Sequence, residues 1–175
     1  MRKGGGKNKG SSFERFLCKE LSLWLSEGTR QDLLWRSSMS GGRSTVAMKK
    51  GVKLSAQVGD ISSIHKLGHK FTELFMIEAK FYKNLNYDSL IKGNGNLVTF
   101  WKRACEDAST HDKLPMLIAK QNHFPSVVCL NDEGVNAFRL EQVKATFYDF
   151  NLNMLLFEDF LKIDPKVLKR NRVKL

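Results

Sequence analysis

The sequence predicts an α/β domain in which a mixed central sheet is flanked by helices. Two segments, 13–25 and 97–108, repeat apolar residues at helical spacing. Between and after them lie short runs that read as strands, and the order along the chain is helix, strands, helix, strands. A length of 175 residues gives one core of ordinary size and is too short for two comfortable ones.

Residues 1–10, MRKGGGKNKG, hold nothing that can enter a core and are expected to form a flexible basic arm. From Ser11 the pattern changes. Phe13, Phe16, Leu17, Leu21 and Trp24, widened by Cys18 and Leu25, trace a helix ending near Gly28. Glu14 falls inside the apolar arc of that helix, whereas Arg15 and Lys19 fall outside it. Leu33–Arg36 reads as a short strand, and the Ser, Gly and Lys-rich stretch from Ser37 to Lys53 as a mobile basic loop. Asp60–Ile64 and Thr72–Tyr82 read as strands of a hairpin turning at Gly68 and His69, which would set Asp60 nearly opposite Glu78. In the second strand Phe75, Ile77, Ala79 and Phe81 share one face, and Met76, Glu78, Lys80 and Tyr82 the other.

A polar connection from Asn84 leads to the second helix, with Asn96 as its expected N-cap and Leu97, Phe100, Trp101, Ala104, Cys105 and Ala108 as its apolar stripe. Pro115–Lys120 and Ser126–Leu130 read as buried strands. Val143–Ile163 offers a further strand and a short helix before Pro165 and a basic end. The expected organisation is an arm over 1–10, a core over 11–130, and an extension over 131–175 packed on the core or at an oligomer contact.

Twenty-nine Lys and Arg against 18 Asp and Glu leave a net charge of +11. The isoelectric point near 9.7 points to a polyanionic partner, with nucleic acid first. No run approaches the roughly 20 apolar residues of a spanning helix, so membrane insertion and secretion are not expected. Cys18, Cys105 and Cys129 are odd in number and widely spaced, which fits a reducing, cytoplasmic setting. His65 and His69 have metal-ligand spacing on a helix, but Gly68 and the strand-like flanks favour a turn there.

Asp60 and Glu78, brought together, supply two carboxylates, with the Ala79 carbonyl as a third oxygen; such hard donors suit Mg2+ or Mn2+. Lys80, on the face of Glu78, can orient or help deprotonate a water and stabilise negative charge. Glu14 can complete the metal shell, directly or through water. Each residue also has a plainer reading. Ser11-x-x-Glu14 is a capping box, Asp60 after Gly59 can end a turn, and Glu78 with Lys80 can be the polar face of an edge strand. The joint arrangement favours phosphodiester hydrolysis. Arg36, Arg43, Lys49, Lys50 and Lys53 are candidates for phosphate contacts. Trp35 and Trp101 have the spacing of core residues rather than of base-stacking platforms.

Gly59-Asp60, followed after 17 residues by Glu78-Ala79-Lys80, resembles the signature of the PD-(D/E)xK nucleases without its proline. Lys9–Arg15 and Trp35–Gly42 are similar to the N-terminal half of archaeal-type Holliday junction resolvases and of phage-encoded endonucleases like them. The resemblance covers about residues 7–130. It implies a restriction-endonuclease-like core and Mg2+-dependent cleavage of branched or duplex DNA. It also implies a homodimer, site roles for Glu14 and Ser40, and a polar residue near the site at Gln121. A phage-infected bacterial cell would be the setting. The basic segment Arg43–Gln57 and the residues after Leu130 exceed the archaeal pattern. A less selective repair or restriction-type nuclease, or a non-catalytic DNA-binding protein, is the alternative reading.

Overall fold

A computed structural model describes residues 5–37 and 58–170. Helix α1 spans Gly5–Leu25, so it begins inside the segment expected to be an arm. Its downstream stripe is packed tightly, and once those turns are held, adding turns before them is easier than starting a helix anew. Phe13, Leu17, Cys18, Leu21 and Trp24 are buried as predicted, and Phe16 lies half exposed at the stripe's edge. Ser11 sits well inside the helix, which rules out its role in a capping box.

Strands β1, Leu34–Arg36, and β2, Ile61–Ser63, pair antiparallel with Arg36 opposite Ile61. Alternation along β1 turns Leu34 inward and Trp35 outward. Trp35 is therefore 62% exposed rather than a core residue. Ser22, fully buried in α1, ties this ribbon to the helix. Its hydroxyl donates to the Cys18 carbonyl at 2.6 Å and accepts from the amides of Leu33 and Leu34 at 3.2 and 3.0 Å. Ser22→Ala should leave both amides unpaired and cost roughly 2–3 kcal/mol. Urea denaturation of the two proteins measures this.

The expected hairpin at Gly68 is instead a helix, α2, Lys66–Leu74, leading directly into β3, Phe75–Tyr82. His65 caps α2, its Nδ1 accepting from the Leu67 amide at 3.2 Å. Gly68 is needed for a close approach rather than a turn, since a Cβ there would lie 2.6 Å from the Ser63 hydroxyl. Leu67, Phe71 and Leu74 have helical spacing, a signal that the strand reading of Thr72 onward overrode.

Helix α3, Asn96–Ser109, connects β3 to β4, Leu114–Gln121, and these two strands run parallel. Its N-cap is Gly95 at φ +95°, not Asn96. The chain continues through β5, Val127–Leu130, helix α4, Asp132–Phe138, and β6, Ala145–Phe147. It closes with β7, Leu152–Leu156, and two short helices, α5, Phe157–Phe160, and α6, Val167–Arg170. The five strands lie in the order β3-β4-β5-β7-β6, antiparallel after the first pair. Residues beyond Leu130 thus supply two strands of the main sheet.

One face of the sheet packs Phe75, Ile77, Met116 and Ile118 against Trp24 of α1, Phe71 of α2, Phe138 of α4 and Phe160 of α5. The other packs Leu117, Ala119, Cys129 and Leu152 against Leu97, Trp101 and Ala104 of α3. Trp101 is fully buried, and its indole N–H donates to the Phe150 carbonyl at 2.9 Å. The result is an α/β restriction-endonuclease-like core, a mixed sheet with helices on both faces. Among the described residues no helix is long and apolar enough to cross a membrane.

Candidate active site

Strand β3 is an edge of the main sheet, and the segment entering β2 lies along that edge. The Asp60 amide donates to the Ile77 carbonyl at 2.8 Å, and the Ser37 amide donates to the Asp60 carbonyl at 3.0 Å. The Ala79 amide in turn donates to Asp60 Oδ2 at 2.9 Å. Asp60 is therefore held against β3 by its backbone and its side chain together. The sequence predicted the meeting of Asp60 with Glu78 but by the wrong route: helix α2, not a tight turn, returns the chain.

Gly59 makes this approach possible. It has φ +85°, and a Cβ would lie 2.7 Å from the Ile77 carbonyl oxygen. Gly59→Ala should lose at least about 2 kcal/mol of folding stability, because the strained φ and the backbone clash add. Any protein that does fold should have Asp60 displaced from the edge of β3, and parallel thermal melts of the two proteins read the loss of stability.

Lys80 Nζ donates to Glu78 Oε2 at 2.6 Å and to Asp60 Oδ2 at 3.3 Å, so one ammonium joins both carboxylates. Glu78 and Lys80 share a strand face, as alternation requires. All three side chains are largely withdrawn from water. Burial, reinforced by the negative charge of Asp60, pushes the Glu78 carboxyl up to about 7, and Lys80 offsets only part of that. Burial alone would lower Lys80, but the charges of Asp60 and Glu78 outweigh it and leave its affinity for the proton raised. Without a bound cation Lys80 is thus an ammonium at neutral pH, suited to donate hydrogen bonds and hold negative charge rather than to take a proton.

The donor set fits a hard divalent cation. Two carboxylates compete for a single ammonium, and added positive charge would relieve the repulsion that raises Glu78. In a strand the N–H and C=O of one residue point the same way, so the Ala79 carbonyl faces the edge that carries Asp60. Among the described residues no group of three or more His, Cys, Asp or Glu side chains is placed to hold a metal. Glu14 is accordingly not gathered with Asp60 and Glu78; it is paired with the guanidinium Nε of Arg36 across α1 and β1.

That pair also engages Arg36, a predicted phosphate contact. Gln121 is occupied as well, its Oε1 accepting from the Leu85 amide at 2.7 Å and holding the connection after β3. Ser40, Arg43, Lys49, Lys50 and Lys53 lie outside the described residues. His65 caps α2 and His69 lies in its first turn, with His65 Nε2 3.2 Å from Arg30 Nη1. Sequence reasoning missed the Glu14–Arg36 pair, although an inward-facing carboxylate is itself a sign that a cation lies opposite.

The model of the family described as "Phage putative PDDEXK endonuclease" matches residues 5–170. No curated protein and no solved structure matches the chain. The match runs from the first turn of α1 to the end of α6, taking in both halves of the sheet and the edge where Asp60, Glu78 and Lys80 meet. The chain belongs to this family of phage PDDEXK endonucleases.

Proposed function

We propose that this chain hydrolyses DNA phosphodiester bonds at Asp60, Glu78 and Lys80, with Mg2+ or Mn2+ as cofactor. The observation that carries the reading is the Lys80 ammonium held between two buried carboxylates on a sheet edge. Asp60 and Glu78, with the Ala79 carbonyl, are the residues that would hold the ion. When bound, the ion supplies positive charge for the phosphate oxygens and lowers the pKa of a water. Lys80 orients the attacking water by hydrogen bonding and stabilises negative charge at the phosphate. Gly59 and the Ala79 amide keep Asp60 in place. Glu14, taken up by Arg36, serves to position that guanidinium rather than to ligate the ion.

The substrate we propose is branched DNA, cut by a homodimer that sets paired nicks. The net charge of +11 supports a polyanionic substrate, and the similarity to junction resolvases supports the branch. Wild-type protein should be given labelled four-way junction, flap, linear duplex and single-stranded DNA, with Mg2+, with Ca2+ and with EDTA. Paired nicks in the junction that need Mg2+ and are suppressed by Ca2+ are expected. Equal cutting of every substrate would reduce the reading to a general nuclease, and firm binding without cutting would favour a DNA-binding protein. At limiting Mg2+ cleavage should also weaken in acid, because the cation-free Glu78 carboxyl is raised and must lose its proton to hold a cation.

A further inference from the structure

On the α1 side of the sheet, Lys9, Ser12, Phe13, Phe16, Phe81 and Lys120 line a surface cleft of about 380 Å³. Phe81 follows Lys80 directly on β3, and Lys120 lies opposite it on β4. Alternation points Phe81 away from the carboxylates, so the cleft and the candidate active site occupy the two sides of one strand end. The ammonium groups of Lys9 and Lys120 each lie 5.7 Å from the centre of the Phe81 ring. Neither lysine forms an ion pair among the described residues. Two cations drawn to one aromatic ring without a carboxylate leave a site of unbalanced positive charge. Phe16 adds a second ring, 46% exposed, stacked on Phe13 at a centroid distance of 6.3 Å.

We infer that this cleft is a subsite for an unpaired nucleotide of the DNA strand, its base against the aromatic rings and its phosphates between Lys9 and Lys120. The combination selects the occupant. An exposed ring attracts the flat face of a base, and flanking ammonium groups attract the phosphates on either side of it. A base inside a duplex keeps both faces stacked and cannot offer one. The subsite rests on the nuclease reading for its meaning: it makes the substrate a DNA that carries an unpaired nucleotide.

Binding of a short fluorescein-labelled DNA strand, and of the duplex of the same sequence, should be followed by fluorescence anisotropy in EDTA across a salt series. The proteins are wild type, Lys9→Ala/Lys120→Ala, and Phe16→Leu, which keeps an apolar side chain against Phe157 while removing the exposed ring. The double variant should bind the single strand roughly 10-fold more weakly and lower the salt slope by about 1.4, two phosphates at 0.7 each. Phe16→Leu should weaken single-strand binding about 5-fold with the slope unchanged. Both should bind duplex within about 2-fold of wild type, since the cleft contributes only a minor share of non-specific duplex contacts. Equal losses on strand and duplex, or no loss on the strand, would overturn the subsite. Because binding is read without a divalent ion, a wild-type protein that shows this preference yet never cuts DNA in Mg2+ would sink the nuclease reading and leave the subsite standing.

Discussion

Glu78→Gln should cut Mg2+-dependent DNA cleavage by roughly 1,000-fold while the protein stays folded. Gln keeps the shape of the side chain but gives up the charge that a cation needs. The same substitution should change stability in a direction that a damaged fold would not. The folded-state pKa of Glu78 is raised to about 7, so without a cation the folded state holds a proton that the unfolded chain has lost. The stabilising effect of this proton is complete below the ordinary glutamate range and is lost as pH rises through about 7. The loss is on the order of 3 kcal/mol for a carboxyl raised from the ordinary glutamate value to about 7. In EDTA at pH 8, Glu78→Gln should therefore melt above wild type, and at pH 4 the advantage should vanish. Equal melting temperatures at both pH values would mean that Glu78 is not held in a repulsive, buried setting.

Phe138→Ala should cost about 3–5 kcal/mol, enough to unfold a large share of a domain of ordinary stability. Phe138 is buried where α4 meets the sheet. Its ring stacks on Phe75 at 4.9 Å and meets Phe160 at 5.0 Å, Trp24 at 6.2 Å and Phe71 at 6.5 Å. Residues after Leu130 are thereby joined to α1, α2 and the strand that carries Glu78. Urea denaturation followed by tryptophan fluorescence should show one cooperative transition at a lower midpoint. Two transitions, with the N-terminal half unaffected, would show the C-terminal part to be an independent addition.

The helical stripes of α1 and α3 were legible because their period is long and unbroken, and β4 and β5 because each is a continuous apolar run. The boundaries set by local chemistry were not. Ser11 and Glu14 have the spacing of a capping box, yet packing of the stripe carries the helix back to Gly5. Gly68 and His69 have turn composition, yet the glycine serves contact with Ser63 and the histidine lies in α2. Trp35 is apolar enough for the core, but alternation beside the buried Leu34 puts it outside. The place of β7 between β5 and β6 has no local signal, because strand order depends on pairings far apart in sequence.

In the candidate site, the shared face of Glu78 and Lys80 followed from alternation alone, a rule that holds wherever a strand holds. Asp60 beside them required a guess about the connection. The guess failed in form and succeeded in outcome because Gly59, whose positive φ was not predicted, lets the backbone reach the strand edge. The partners of Glu14, Arg36 and Gln121 are tertiary contacts spanning 22 to 36 residues, beyond the reach of any local pattern.

The most direct measurement is cleavage of labelled DNA by wild-type and Asp60→Asn protein, each in Mg2+ and in EDTA, with folding of both checked by circular dichroism. Strand breaks that require both the divalent ion and Asp60 are the predicted result. Breaks that persist in EDTA, or that Asp60→Asn makes at the wild-type rate, would contradict a metal-dependent nuclease centred on Asp60, Glu78 and Lys80.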